Sequence, residues 1–460
     1  MNILSNIIKN MNNTKDMTKG ESWKVIIAFA IPLFLSNLFQ QLYNSVDSLI
    51  VGNVLGKNAL AAVSSSGNLL FFFNSFVIGT SMGAGVLISK TFGEKNYEKL
   101  RRAIHTDIAL GLVLGIFLTF FGYSFAPIML RWMKTDSEVI GSSIEYFQCY
   151  FLGALGLVMY NIFNGILNAL GNSKRSLMYL VISSLLNICL DLLFVWGFKW
   201  GVGSAGIATC LSQLFSATLA FLFLIKKDTI YQVRIKEIRF NVECLKQILR
   251  YGLPSGVQNS VIALANVFVQ SNINTFGNDA MAGCGTYSKV EGFAFLPVNS
   301  FAMALSIFVG QNLGAKEFKK AKRGSLFGII MSVALAEMVG LVMFLFMPKI
   351  TTLFSNDPDV IKYALLQAKI DCLFYFLLAF SHAIAAILRG SGKALSPMII
   401  MLSVWCIFRV IYIRVTLNIY HDISMLFTAY PVTWFISSVI YFILYNFTKW
   451  EYGFLREERV

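Results

Sequence analysis

The stretch KTFGEKNYEKLRRA (residues 90–103) recurs 221 residues later as QNLGAKEFKKAKRG (residues 311–324). The same shift aligns GKNALAAVSS (56–65) with GNDAMAGCGT (277–286), Pro127 with Pro348, and Gly171 with Gly392. A register that holds over so much of the chain indicates an internal duplication. We therefore predict two homologous halves.

The amino-acid composition indicates that both halves lie in a membrane. The 460-residue chain is 56% hydrophobic and only 13% charged, and its mean hydropathy is +0.66. A soluble core cannot cover so much apolar surface, so the chain needs lipid. Apolar runs of about 20 residues or more, the length that crosses a bilayer, occur twelve times. The runs lie at 26–50, 59–89, 104–126, 143–167, 177–198, 204–225, 251–276, 280–310, 325–347, 361–388, 396–417 and 423–447.

These runs predict an all-α integral membrane protein with twelve transmembrane helices in two six-helix lobes. An even number of spans gives both lobes the same orientation, so we expect a pseudo-two-fold axis along the membrane normal and a cavity between the lobes. The predicted domains are an N-terminal lobe (1–225, helices 1 to 6 after a short tail), a cytoplasmic linker (226–250) and a C-terminal lobe (251–460, helices 7 to 12). This is the architecture of a transporter.

The formal net charge of +14 comes from 38 Lys and Arg residues that cluster in alternate loops. Under the positive-inside rule this pattern places both termini and the linker in the cytoplasm, and it argues against nucleic-acid binding. We expect a multi-pass protein of the plasma membrane. The seven cysteines are scattered without CxxC spacing, so we interpret them as small apolar residues. The first apolar run is too long for a cleavable signal peptide.

Polar residues form stripes on two of the helices. In the first helix, spacings of 3, 4 and 3 place Asn37, Gln40, Asn44 and Asp47 on one face. In the seventh helix, Asn259 and Asn266 repeat that stripe. We predict that both stripes line a substrate cavity. Interhelical hydrogen bonds that hold the bundle together are the alternative for the Asn and Gln residues.

Two carboxylates are found in the first half of the duplication and not in the second. The position equivalent to Asp47 is Val269, and the position equivalent to Asp191 is Tyr412. A charge at bilayer depth costs roughly 2.5–3.5 kcal/mol, and such a carboxylate usually faces a partner or a pathway. Asn187 lies one helical turn before Asp191, on the same face.

Convergence of these helices would build a site made of oxygen atoms. Asn164 on the fourth helix and Thr209 on the sixth would join Asp47, Asn187 and Asp191. Such a site suits a proton or a hard cation such as Na⁺. The structural alternative is a permanently protonated aspartic acid that locks the helices together.

Other charged residues and one proline also lie within the spans. Glu291 in SKVEGFAFLP could attract a cationic substrate, or could form a structural pair. Pro32 removes a backbone hydrogen bond from the first helix, which predicts a hinge upstream of Asp47. The remaining charges are expected to pair among themselves, for example Glu337 with an arginine of the eleventh helix. They are Glu337, Lys369, Asp371, Arg409 and Arg414.

Three stretches carry a resemblance to a known family. They are IPLFLSNLFQQLYNSVDSLIVGNVLGKNALAAVS (31–64), GQNLGAKEFKKAKRG (310–324) and NICLDLLFVWGFKWGVGSAGIAT (187–209). Nearly all of the chain resembles the multidrug and toxic compound extrusion (MATE) family. The resemblance implies two six-helix lobes that export lipophilic, usually cationic compounds in exchange for H⁺ or Na⁺.

The resemblance also extends to individual residues. Asp47, Asn164, Asn187, Asp191 and Thr209 match the cation site in the N-terminal lobe of one branch of the family, which implies possible Na⁺ binding at Asp47, Asn187, Asp191 and Thr209. Another branch has an acid in the seventh helix where this chain has Ile262. The absence of that acid disfavours a Na⁺ site in the C-terminal lobe like that of the other branch.

We therefore predict a secondary antiporter that exports drugs or toxic metabolites by alternating access, as a monomer without a cofactor. Its partners would be small amphipathic substrates and the lipid bilayer. RGSGKALS (389–396) lacks the features of a phosphate-binding loop, and no set of catalytic residues supports an enzyme. A flippase for a lipid-linked sugar is the alternative, and it would require a basic, arginine-lined cavity in the N-terminal lobe.

Overall fold

The structure is a computed structural model that describes residues 16–132, 137–227, 229–353, 355 and 357–454. Helices dominate these residues, and no strand occurs among them. The helices are α1 (Ser22–Leu55), α2 (Lys57–Gly93), α3 (Tyr97–Trp132), α4 (Ile140–Leu152 and Ala154–Ala169), α5 (Ser173–Asp191), α6 (Gly203–Leu224), α7 (Val242–Ile273), α8 (Asn278–Gly314), α9 (Phe318–Thr351), α10 (Pro358–Asp371 and Tyr375–Gly390), α11 (Leu395–Met401 and Arg409–Tyr420) and α12 (Ser424–Phe447).

Length and hydropathy identify these helices as membrane spans. Ten are long and apolar enough to cross a membrane, and the two segments of α4, bent by 51°, make an eleventh when counted as one span. The remaining helix is α7, which carries more polar residues. The predicted all-α membrane fold with twelve helices is confirmed.

The duplication extends to the conformation of the turns. Equivalent positions in the two halves share a left-handed backbone, which L-residues adopt rarely outside tight turns. The equivalent pairs are Gly56 and Gly277 (φ 87° and 97°), Lys95 and Lys316 (56° and 60°), and Gly171 and Gly392 (81° and 87°). The two halves therefore reverse direction by the same local geometry.

Short polar side chains begin several helices. The Asn172 side chain accepts a hydrogen bond from the Arg175 N–H at the start of α5, and Asp357 accepts one from Asp359 at the start of α10. Asp422 accepts from both the N–H and the hydroxyl of Ser424, at 3.0 and 2.7 Å, and these bonds hold the pKa of Asp422 below its ordinary value. Each cap satisfies a backbone donor that the helix itself leaves unpaired.

Three helices contain an irregular turn beside a buried charged residue. α5 continues beyond Asp191 as a π-helical turn, and another π-helical turn of α11 ends immediately before Arg409. In α10 a 3₁₀ turn follows Asp371 directly. Departures from α-helical geometry are frequent at functional sites, and each of these turns adjoins a charged residue within a membrane span.

The chain packs into two compact units whose limits differ from the predicted domains. The N-terminal unit contains Leu35–Leu253, and the C-terminal unit contains Met17–Phe34 and Pro254–Val460. The predicted linker is thus part of the N-terminal unit, and the beginning of α1 is part of the C-terminal unit. Internal homology could not reveal this, because it does not specify which helices a flanking segment packs against.

Hydrogen bonds fix the segment before α1 to the C-terminal unit. The Met17 N–H donates to Gln311 Oε1 at 2.9 Å, and Asn312 Nδ2 donates to the Met17 carbonyl at 3.3 Å. Lys320 Nζ donates to the Thr18 carbonyl at 2.7 Å. The ends of α8 and α9 therefore hold this segment.

A close contact between two helices fixes the beginning of α7 to the N-terminal unit. A Cβ atom added to Gly83 of α2 would lie 2.1 Å from the Cα of Gly252, and one added to Gly252 would lie 3.0 Å from the Thr80 carbonyl oxygen. The end of a flexible side chain could move away from such an added atom, but backbone atoms of a packed helix cannot. Glycine at position 83 is therefore needed for α2 and α7 to meet.

Gly83→Ala should lower the stability of the N-terminal unit, because the added methyl group would force these two backbones apart. Overpacking of this kind costs about 1–3 kcal/mol. Gly85→Ala is the matched control, since its Cβ would meet only the Ala169 side chain at 3.9 Å. Thermal unfolding of the purified proteins in detergent measures the difference. Equal unfolding midpoints for the two variants would contradict the contact.

Candidate functional site

The N-terminal unit brings two carboxyl groups together. Asp47 lies on α1 and Asp191 is the last residue of α5, and their carboxyl groups lie close enough to interact electrostatically. Asp191 is 0% exposed and Asp47 is half-buried. No donor among the described residues reaches either oxygen of Asp191 or the Oδ1 of Asp47. Two facing carboxylates repel unless a proton or a cation lies between them.

Asn187 and Thr209 lie beside each other in the same unit. Asn187 Nδ2 approaches Thr209 Oγ1 at 3.5 Å, the limit of a hydrogen bond, while the Thr209 hydroxyl donates to the Ala205 carbonyl at 3.1 Å. The buried Asn187 Oδ1 meets no donor among the described side chains. The predicted site thus contains an amide oxygen and a hydroxyl oxygen that can accept further ligands, one turn from Asp191.

Asn164 is half-buried on the second segment of α4. Within the described part of the chain, no side-chain hydrogen bond connects it to the aspartates. Its stripe neighbour Asn161 donates to the Leu157 carbonyl of its own helix at 2.9 Å. The geometry therefore brings Asp47 and Asp191 together and pairs Asn187 with Thr209, whereas the place of Asn164 in the site stays a prediction.

The structure adds Tyr43 of α1, which the polar pattern of the sequence did not single out. The Tyr43 side chain lies beside Gln213 of α6 and Gln40 of α1, and near Asp47. A sequence signal existed, because Tyr43 lies one turn before Asp47, and Gln213 lies one turn after Thr209. Each residue of this contact thus shares a helix face with a member of the predicted site.

Tyr146 of α4 is a second missed residue. It is buried, and it lies near both Asp47 and Asp191. Its neighbour one turn along the helix, Tyr150, accepts a hydrogen bond from Asn74 Nδ2 at 3.1 Å. Tyrosines of α4 therefore lie near the acidic pair, and hydrophobic periodicity alone does not distinguish such tyrosines from core residues.

The two predicted substrate stripes remain accessible within their own units. Asn37 is half-buried and Gln40 and Asn44 are exposed along the same face of α1. In the C-terminal unit, Asn259 is half-buried and Asn266 is exposed on α7. These side chains are placed as substrate-binding residues require, and their role stays a prediction.

The C-terminal unit encloses a positive charge. Arg409 of α11 is 1% exposed, and its Nη2 donates to Thr433 Oγ1 at 3.0 Å. The guanidinium carbon lies 4.6 Å from the ring centre of Tyr430 and 5.3 Å from that of Trp405. Contacts with aromatic faces of this kind stabilise a desolvated guanidinium.

Two carboxyl groups interact electrostatically with this arginine. They belong to Glu291 of α8 and to Asp371 of α10, which is 0% exposed. Asp371 Oδ2 accepts from Gln367 Nε2 at 3.3 Å, and its Oδ1 has no donor in the described residues. Asp371 and Arg409 are buried and Glu291 is half-buried, and the three form a charge cluster, which we call the C-terminal cluster.

The expected pairing of Glu337 is different. Its Oε2 accepts from the Phe376 N–H at 3.0 Å, so Glu337 caps the second segment of α10 instead of pairing with an arginine of α11. Lys369 and Arg414 are exposed. Sequence spacing could not find this cap, because it does not show that the α10 backbone has an unpaired donor beside α9 at the 3₁₀ turn.

Arg409→Met should destabilise the C-terminal unit by roughly 3–5 kcal/mol, because it leaves the buried Asp371 and the half-buried Glu291 without an opposite charge. Arg414→Met, on the exposed side of the same helix, is the matched control. Adding Asp371→Asn to Arg409→Met should recover part of the loss, since it removes one of the two acids. Thermal unfolding in detergent measures all three variants. Indistinguishable midpoints for Arg409→Met and Arg414→Met would refute the cluster.

A twelve-helix membrane fold with ionisable groups inside its helix bundles defines a membrane transporter. The MatE family model matches residues 32–193 and again residues 254–413, which together are more than half of the chain. The chain belongs to the multidrug and toxic compound extrusion (MATE) family. The two matches fall one in each half, as the duplication requires.

Individual relatives agree with the family. The chain is 29% identical over 445 residues to the probable multidrug resistance protein YoeA of Bacillus subtilis (strain 168), covering 94% of this chain and 96% of that protein. It is 27% identical over 387 residues to the probable multidrug resistance protein NorM of Thermotoga maritima, covering 83% of each. An outward-facing MATE family transporter of the MOP superfamily has a similar fold, with a TM-score of 0.88, 22% identity, and 97% and 98% of the two chains covered.

Proposed function

We propose that this protein is a secondary antiporter that exports lipophilic cationic compounds, drugs or toxic metabolites, in exchange for H⁺ or Na⁺. The proposal places it in the plasma membrane with both termini in the cytoplasm, which agrees with the alternation of its basic loops. The observation that carries it is the Asp47–Asp191 pair, whose buried oxygens lack donors. Such a pair is stable only when it shares a small positive ion, and it can therefore exchange one.

The donor set of the proposed site suits either ion. Carboxylate, amide and hydroxyl oxygens are hard ligands, as Na⁺ prefers, and a single proton shared between Asp47 and Asp191 would also relieve their repulsion. Asn187 Oδ1 and Thr209 Oγ1 would supply the additional ligands that a metal ion needs. A proton does not need these two additional ligands. Asn187 and Thr209 should therefore matter for Na⁺ coupling and not for H⁺ coupling.

Loading the pair would change the force between α1 and α5. When both carboxyl groups are charged, they push the two helices apart, and an added positive ion draws them together. α1 contains Pro32, and at Leu35 the helix passes into the N-terminal unit. We assign Pro32 as the hinge at which α1 bends, so that ion binding favours one of two lobe orientations.

This switch gives an exchange cycle. In the outward-open state the pair takes up its ion while the exported compound leaves. In the inward-open state the pair releases the ion to the cytoplasm and a new compound binds. Net export then follows the ion gradient, because a transporter that changes orientation only when loaded couples the two movements.

The two polar stripes would contact the exported compound. Asn37, Gln40 and Asn44 offer amide groups in the N-terminal unit, and Asn259 and Asn266 do so in the C-terminal unit. Glu291 would attract a cation. Arg409 offsets part of that attraction, so hydrogen bonds and aromatic contacts must contribute much of the affinity, which fits a broad range of amphipathic substrates.

Neutralising either acid should abolish gradient-driven export. In proteoliposomes loaded with ethidium, Asp47→Asn and Asp191→Asn should lose about tenfold or more of the stimulation by an imposed gradient, the size expected when about 1–3 kcal/mol of coupling free energy is removed. A pH gradient and a sodium gradient are imposed in separate experiments, and the one that drives the wild type identifies the ion.

Asp107→Asn is the matched control, because Asp107 is also a buried acid of the N-terminal unit without a hydrogen-bond donor among the described residues. It should keep wild-type stimulation. Full gradient-driven transport by both the Asp47 and the Asp191 variant would show that the coupling site lies elsewhere.

A further inference from the structure

The linker lies against one end of α3 within the N-terminal unit. Of the predicted linker (226–250), only residues 229–241 are meant by this name from here on. The Val233 N–H donates to the Leu224 carbonyl at 2.8 Å, and the Asn241 N–H donates to Thr106 Oγ1 at 3.1 Å. Between these two points, the Arg234 N–H donates to His105 Nε2 at 2.9 Å. The chain enters α7 immediately afterwards.

The two contacts of His105 determine its protonation state. Nδ1 lies 2.7 Å from the Arg101 carbonyl oxygen, which can only accept, so Nδ1 carries a hydrogen and donates it. Nε2 receives the Arg234 N–H and must therefore keep its lone pair. The ring is only 3% exposed. The docked linker thus requires a neutral imidazole, and a proton on Nε2 would direct one N–H at another.

The charges around His105 also oppose a positive ring. Glu237 is already engaged, with Arg101 at 3.1 Å and Arg234 at 3.2 Å. Asp107 lies two residues further along α3, and no hydrogen bond joins its carboxylate to the imidazole in the described structure. Other titratable and charged groups of the elements that meet here include Glu98, Lys99 and Arg102 on α3, Tyr231, Lys236 and Arg239 on the linker, Arg175 on α5 and Glu243 on α7.

We propose that His105 is a pH-sensitive latch that binds the linker when it is neutral and releases it when it is protonated. Histidine is the side chain that ordinarily changes charge between pH 5 and 8. Release removes one hydrogen bond and adds a positive charge beside Arg101 and Arg234. Because the linker leads directly into α7, its release also loosens the chain immediately before Val242, the first residue of that helix.

The regulatory role of the latch rests on the proposed function. An antiporter that imports protons acidifies the cytoplasm, the side on which we place the linker. Protonation of His105 would then release the linker and slow further exchange, which protects the cell from its own proton leak. The docking chemistry itself needs no gradient and no substrate, so it can be tested separately.

Hydrogen–deuterium exchange of the linker amides tests the latch in purified protein at pH 7.5 and pH 5.5. After correction for the intrinsic pH dependence of exchange, wild-type protection at Arg234 should fall about tenfold at the lower pH, the size of one lost hydrogen bond. His105→Gln should keep its protection at both values, because the neutral amide can donate to Arg101 and accept from Arg234. His105→Arg should be unprotected at both.

His421→Gln is the control, since His421 lies in an exposed turn of the C-terminal unit, and it should behave as the wild type does. The latch is wrong if wild-type protection is the same at both pH values, or if His105→Gln loses protection over the same range. The comparison of wild type with His105→Gln decides the matter even where His105→Arg folds poorly.

A transport assay tests the regulatory role. With the pH lowered to 5.5 on the linker side and by the same amount on the opposite side, so that the imposed gradient is unchanged, substrate flux should decrease in the wild type and persist in His105→Gln. Equal inhibition of both proteins would overturn regulation by His105. The exchange result is independent of Asp47 and Asp191, so failure of the antiport proposal would leave the docking measurement intact.

Discussion

The repulsion between the Asp47 and Asp191 carboxyl groups is the constraint on which the N-terminal unit depends. Burying one carboxylate is costly, and burying two in mutual contact is stable only with a positive ion between them. Every neighbour that the structure places there is compatible with such an ion, from the Asn187 carbonyl to the Tyr43 hydroxyl. Permanent packing would be served better by apolar residues. A site that is stable only when loaded is suited to exchange.

The two duplicated halves differ in the groups that lie beside their carboxyl groups within the membrane. In the C-terminal unit the positions equivalent to Asp47 and Asp191 hold Val269, which is buried, and Tyr412, whose hydroxyl meets Thr428 Oγ1 at 3.1 Å. The acids of that unit lie near Arg409, a guanidinium that does not lose its proton under physiological conditions. One half thus has a positive charge that can leave, and the other has one that is fixed by the sequence. This difference is the reason for proposing that coupling takes place in the N-terminal unit.

Hydropathy and internal homology predicted the fold well because both act over whole helices. α6 was expected at 204–225 and spans Gly203–Leu224, and α12 was expected at 423–447 and spans Ser424–Phe447. The π-helical turn of α5 could not be predicted, because the same apolar residues suit either helix geometry. In the site, the approach of Asp47 to Asp191 was anticipated from their cost in lipid. The contact of Tyr43 with Gln213 was not, since it depends on the rotation of α6 against α1.

The exchange of segments between the units explains why two prolines lie where they do. α1 begins in the C-terminal unit and passes into the N-terminal unit at Leu35, three residues after Pro32, while α7 passes the opposite way at Pro254. The start of each helix is held by a lysine at an equivalent position of the duplication, Lys320 or Lys99. A helix whose start is held can respond to a force on its side by bending. Proline removes the hydrogen bond that resists bending. A change of charge at Asp47 therefore acts on a helix whose weakest backbone point lies at the boundary between units.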